Sequence, residues 1–179
     1  VAATRIVIRV NDDEAVAGQL RLLREYGWRE RYHSAEHGWN SRLDELQAAL
    51  LRVRLRGLEA DNARRRAIAA AYRAGLPPAL PSVTARPGDE GVEHLFVVRH
   101  PERDRWRAAL QALGVGTAIQ YPVACHLQAA YQGFGAGPGS LPVTERAAAE
   151  VFSLPMYPEL TDDEVEAGIA AARRVAATG

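Results

Sequence analysis

The chain has 179 residues, of which 47% are hydrophobic and 25% charged, and its 22 acidic and 22 basic residues cancel. That balance supports a buried core and excludes a disordered chain. Zero net charge removes the electrostatic reason to expect nucleic acid or an anionic membrane as a partner.

Residues 4–10 are rich in β-branched side chains and predict a strand, although Arg5 and Arg9 interrupt the run and the layout of a signal peptide is missing. A chain that begins directly in such a strand fits a fragment. Asn11 followed by Glu14 has the spacing of a capping box, Val16, Leu20 and Leu23 share one helical face, and Gly27 suits the stop. Residues 28–39 show no period and predict an ordered loop. From Leu43 a long helix is expected, with one stripe through Leu43, Leu46, Leu50 and Val53 and another through Gln47, Leu51, Leu55 and Leu58. The combined face is wider than a surface helix needs and predicts burial against two neighbours, a second subunit among them. Gly57 marks a kink. Beyond it, Ala60, Ala63, Ala67, Ala70 and Ala74 form a stripe of small residues that predicts close packing, with Arg64, Arg65 and Arg66 on a solvated face.

Pro77, Pro78, Pro81 and Pro87 make the following stretch a loop or extended linker. Residues 94–99 predict a strand. Pro101 then suits the first turn of a helix with Trp106, Leu110 and Leu113 on one face and Gly114 at its end. Residues 115–121 predict a strand, closed by Pro122. A Gly/Pro loop over 133–142, a helix over 143–151, a short strand over 152–154 and a last helix complete the chain. That helix is announced by the capping box Thr161 and Glu164 and carries Val165, Ile169 and Ala172 on one face. The domain reading is therefore an arm of long helices over 1–75, a linker over 76–91 and a small α/β domain over 92–179.

Three groups of residues are candidates for chemistry. Gly38-Trp39-Asn40-Ser41-Arg42 precedes a helix, where backbone N–H groups, an amide and a guanidinium together suit an anion such as phosphate; the simpler reading is that Asn40 or Ser41 caps the helix. Gln120, Tyr121 and His126 follow a strand end, a common ligand position in α/β sheets, where a histidine could orient a substrate, move a proton or be purely structural. His33 and His37 would need further ligands to hold a metal, so no metal site is assigned. The one cysteine, Cys125, can form neither an internal disulfide nor a cysteine-based zinc site, and points to a reducing, cytoplasmic compartment.

Four blocks in order resemble the DegT/DnrJ/StrS family of pyridoxal-phosphate (PLP) aminotransferases. They are Leu22-Leu23-Arg24-Glu25-Tyr26-Gly27-Trp28, then Gly38-Trp39-Asn40-Ser41-Arg42-Leu43-Asp44-Glu45-Leu46-Gln47-Ala48-Ala49, then Gln120-Tyr121-Pro122 with His126-Leu127-Gln128, and Ser153-Leu154-Pro155-Met156-Tyr157-Pro158. The resemblance implies the α/β fold type I of the aspartate aminotransferase kind, represented here by its C-terminal small domain and a preceding helical arm. It also implies PLP as cofactor, a homodimer with shared active sites, a nucleotide-linked keto sugar as substrate, and an amino donor such as glutamate. By position, Asn40 corresponds to the residue that reaches the PLP phosphate of the partner subunit and Arg42 to one near that site. Tyr121 and His126 correspond to the tyrosine and histidine near the sugar, with Gln120 where the family commonly has histidine.

One departure stands out. All 22 basic residues are arginine, so the chain has no lysine to hold PLP covalently and no catalytic residue is assigned. Arginine stays protonated at neutral pH and cannot act as that amine. The resemblance therefore implies an aminotransferase of which this chain is the C-terminal portion. The alternatives are a truncated dimerisation or binding module without PLP chemistry, and a relative of the lysine-less PLP dehydratases.

Overall fold

Asp13 caps the first helix among the described residues, in a computed structural model that describes residues 13–83, 91–135 and 137–178. Its carboxylate accepts the N–H groups of Ala15 and Val16 at 2.9 and 3.3 Å, and the helix α1 runs Glu14–Leu23. The strand expected over 4–10 and the cap expected at Asn11 lie outside the described residues. Within α1 the buried residue is Ala17, while Val16 and Leu20 of the predicted apolar face are exposed. Residues 28–39 are not a plain loop: β1 (Trp28–Glu30) and β2 (His33–Ser34) pair antiparallel as a short irregular hairpin. The long helix is two helices, α2 (Glu45–Arg54) and α3 (Leu58–Gly75), broken at Leu55 to Gly57 as Gly57 led us to expect.

The chain divides into two compact units, one up to Leu58 and one from Glu59 onward. The boundary falls earlier than the linker at 76–91, because α3 belongs to the second unit. Ile68, Ala69 and Tyr72 of α3 enter that unit's core, whereas the alanine stripe of residues 60, 63, 67, 70 and 74 faces outward. Spacing alone could not tell which face of α3 would find a partner. Arg64 is not simply solvated either; it donates to Asp162 at 2.7 Å and to the carbonyl of Leu160 at 2.5 Å.

In the second unit β3 (Phe96–Arg99) pairs antiparallel with β4 (Val151–Leu154), with Val98 opposite Phe152 and Phe96 opposite Leu154. Single bridges at Ser82 and Ala118 extend the sheet on its two sides, so the strand expected over 115–121 contributes one pairing only. Helix α4 (Arg103–Ala112) buries Trp106 and Leu110, one turn apart. Two short 3₁₀ segments, Cys125–Leu127 and Ala129–Phe134, lead to α5 (Pro142–Glu150), and α6 (Asp162–Ala177) closes the unit. The capping box of α6 is present as read from the sequence: Thr161 Oγ1 accepts the Glu164 N–H at 3.2 Å, and Glu164 accepts the Thr161 N–H at 2.8 Å.

The core joins Ile68 and Tyr72 of α3 to Phe96, Val98, Phe152 and Leu154 of the sheet, and to Val165, Ile169 and Ala172 of α6. Burial, reinforced by Tyr157, pushes the Tyr72 hydroxyl up to about 12, so it remains a neutral donor to the Pro155 carbonyl at 3.2 Å.

Phe152 is fully buried, and Phe152→Ala is expected to cost about 3–5 kcal/mol, read from chemical denaturation. Hydrogen bonds from Thr161, backbone first and hydroxyl second, hold the Glu164 carboxyl below its ordinary 4.5. A carboxyl lowered in the folded state stabilises above the unfolded value and loses that contribution as pH falls below 4.5. Glu164→Gln should therefore flatten the acid limb of stability against pH.

Candidate functional site

In the first unit, two glycines let the backbone close on itself. Gly27 has φ +72°, and a Cβ there would lie 2.0 Å from the carbonyl oxygen of Glu36. A Cβ on Gly38 would lie 2.1 Å from the Gly27 nitrogen. This contact brings 39–41 alongside 23–26: Trp39 N–H donates to Leu23 at 2.7 Å, Tyr26 N–H to Trp39 at 2.9 Å, and Ser41 N–H to Arg24 at 2.9 Å. Asn40 forms an isolated antiparallel bridge with Glu25. Tyr26, Trp28 and Tyr32 follow one another in ring contact, the first pair tilted at 4.9 Å between centroids and the second edge-to-face at 5.2 Å.

The corner differs from its sequence reading in one respect. Neither Asn40 nor Ser41 caps a helix, since α2 starts at Glu45 and its N-cap is Asp44. The N–H groups of Trp39 and Ser41 are spent on pairing and are not anion donors. What the corner offers is side chains. Arg42 Nε donates to Asn40 Oδ1 at 3.2 Å, and both residues are exposed. With its oxygen held by Arg42, Asn40 keeps its NH₂ as a donor, and the Arg42 guanidinium keeps its terminal N–H groups. An amide and an arginine fork side by side suit a phosphate, so the residues present fit the anionic end of PLP.

The second unit holds the other candidates. Gln120 Oε1 accepts from the buried Ser153 hydroxyl at 2.7 Å. Both residues line a cavity of about 370 Å³ together with Thr117, Ala118 and Met156. Tyr121, joined to Gln120 by a cis peptide, is 76% exposed. His126 is nearly buried, its side chain 8% exposed, and its Nε2 lies 3.0 Å from Glu145 Oε1. The Glu145 carboxyl is held below its ordinary range, first by the Gly139 N–H and then by His126. Sequence reading missed Ser153 and Glu145. Pro142 and Glu145 do mark a helix start, but nothing local links Glu145 to a histidine 19 residues earlier. Cys125 is exposed, and among the described residues no group of three His, Cys, Asp or Glu could hold a metal. Among them too, no helix is long and apolar enough to cross a membrane.

The DegT/DnrJ/EryC1/StrS aminotransferase family description matches residues 8–173, and the chain belongs to that family. It is 46% identical, over 84% of its length and 40% of the relative's, to dTDP-3-amino-3,4,6-trideoxy-alpha-D-glucose transaminase of Streptomyces venezuelae. It is 38% identical, over 87% of its length and 42% of the relative's, to UDP-N-acetyl-3-dehydro-alpha-D-glucosamine 3-aminotransferase of Acidithiobacillus ferrooxidans. The crystal structure of DesV from S. venezuelae superposes with a TM-score of 0.86 at 44% identity, covering 90% of this chain and 44% of that one. A family aminotransferase from Brucella abortus superposes with 0.83 at 32% identity, over 90% and 44% of the two chains. The fold is thus that of a fold type I PLP transferase. The chain spans less than half the length of these relatives and matches their C-terminal portion.

The glycine contact gives a direct test of the corner. Gly38→Ala is expected to disrupt the first unit, seen as loss of dispersion for the Asn40 and Arg42 resonances in NMR, while residues of the second-unit core such as Leu110 keep theirs.

Proposed function

We propose that the chain is the C-terminal portion of a PLP-dependent aminotransferase that aminates a nucleotide-linked keto sugar, with glutamate as a fitting amino donor. The observation that carries this reading is the Asn40–Arg42 corner, built on the contact of Gly38, which opens the family-like block 38–49, with Gly27 of the preceding block. Asn40 and Arg42 bind the phosphate of PLP held by the partner subunit of a homodimer. Gln120, Tyr121 and His126 form the sugar-side wall. PLP, when bound, supplies the electron sink that lets an amino group move between donor and sugar. This chain's own part is to hold the phosphate and to orient the sugar; the amine that moves the proton at the reacting carbon lies outside these lysine-free residues.

The first unit is the end of the large domain with its connecting helix, and the second unit is the small domain. Zero net charge fits an enzyme of small-molecule metabolism with no nucleic-acid or membrane partner, and the single cysteine fits a cytoplasmic one. Helix α2 supports the dimer: it buries no residue, and Leu46, Leu50, Leu51, Val53 and Leu55 are all more than half exposed. Apolar surface of that extent marks an interface. The same face also fits the second reading, a dimerisation or binding module without PLP chemistry.

Two measurements separate these readings. The chain alone is expected to show neither the visible absorbance of covalently held PLP nor transaminase turnover; such absorbance from this lysine-free chain would overturn the division of labour. In a full-length protein carrying it, Asn40→Ala should weaken PLP retention about tenfold, the worth of roughly one hydrogen bond, and leave the unfolding midpoint of the cofactor-free protein nearly unmoved. Unchanged retention would remove Asn40 from the phosphate site.

A further inference from the structure

Glu145 lies in the first turn of α5, and its carboxylate gathers three donors. Gly139 N–H reaches Oε1 at 2.9 Å and Oε2 at 3.0 Å, Leu141 N–H reaches Oε1 at 3.3 Å, and His126 Nε2 lies 3.0 Å from Oε1. Leu141 is the N-cap of α5 and has no side-chain cap of its own, so Glu145 reaches back to serve the helix start. One carboxylate therefore ties three things together: the end of the Gly/Pro loop, the N-terminus of α5 and the 3₁₀ segment Cys125–Leu127. A group that merely capped a helix would not need the histidine. A histidine that merely filled space would not need a carboxylate.

We propose that Glu145 is a positioning residue for His126, accepting the hydrogen bond of its Nε2–H and so leaving Nδ1 as the ring atom offered to the sugar. The inference rests on the reading of His126 as part of the sugar-side wall. Its chemistry follows from donors and acceptors. A carboxyl held below its ordinary range by the Gly139 and His126 hydrogen bonds is ionised at neutral pH and can only accept. The ring nitrogen facing it must then carry the hydrogen. In a neutral imidazole the other nitrogen keeps its lone pair, so Nδ1 is an acceptor, suited to a sugar hydroxyl. The near-complete burial of the ring holds this orientation, because rotation would break the one charge-assisted bond it makes.

The positioning is read first in the 179-residue chain, by NMR with ¹⁵N-labelled histidine and amide exchange at neutral pH. His126 is expected to carry its proton on Nε2, with a ring N–H slow enough in exchange to be seen. Glu145→Ala should remove that signal and speed exchange of the Gly139 amide about tenfold. Glu145→Gln, which keeps the volume, should shift exchange in the same direction and serves if the alanine variant does not fold. A proton on Nδ1, or Gly139 exchange that neither variant alters, would overturn the proposal. The working ring atom is read in a full-length protein carrying the chain, by calorimetric binding of dTDP-glucose. His126→Asn carries an amide to the place of Nδ1, and His126→Gln carries one to the place of Nε2. The asparagine variant is expected to bind about tenfold tighter than the glutamine variant. Equal affinities, the reverse order or no binding by the parent protein would remove Nδ1 from the site. Loss of transamination with that order intact would instead sink the proposed reaction and leave the positioning role standing.

Discussion

The antiparallel register of β3 on β4 is the constraint on which the second unit depends. Side chains alternate along a strand, so Val98 opposite Phe152 and Phe96 opposite Leu154 place four large apolar groups on one face of the sheet. Those groups receive Tyr72 from α3 and Ile169 from α6. The same alternation sends the Ser153 side chain to the other face, where its hydroxyl meets Gln120, while its backbone pairs with Ala118 along the strand edge. A slip of one residue would put Ser153 in the core and expel Phe152. Core stability and the placement of Gln120 are therefore set by one hydrogen-bond ladder.

The legible parts of the fold were those in which partner and signal sit close together in sequence. Thr161 and Glu164 are three residues apart, and their reciprocal bonds formed as read. Trp106 with Leu110, and Val165 with Ile169, are one helical turn apart and all buried. The failures share the opposite property. The alanine stripe of α3 had ideal spacing, yet Ile68, Ala69 and Tyr72 face the core, because burial depends on which neighbour exists and not on periodicity. Residues 115–121 had strand propensity, but only Ala118 found an edge to pair with.

The candidate site divides along the same line. Asn40 and Arg42 were found through a motif, and the structure adds the close approach of Gly27 to Gly38 that makes the motif rigid. The capping role given to Asn40 failed because the bridge to Glu25 draws it into an extended pairing four residues before the N-cap Asp44. His126 was visible as a residue type at a family position. Its partner Glu145 was not, because the turn that joins them is made by three backbone and side-chain donors meeting in space.

Helix α2 has a consequence beyond recognition. Its leucines are well-behaved only while something covers them, and α2 itself buries nothing. A ribosome releasing this segment would present an oily stripe to the cell before any cover had assembled. Such surfaces are what chaperones hold and proteases clear. The abundance of the polypeptide in a cell would accordingly follow the speed of its assembly more closely than the strength of the second unit's core.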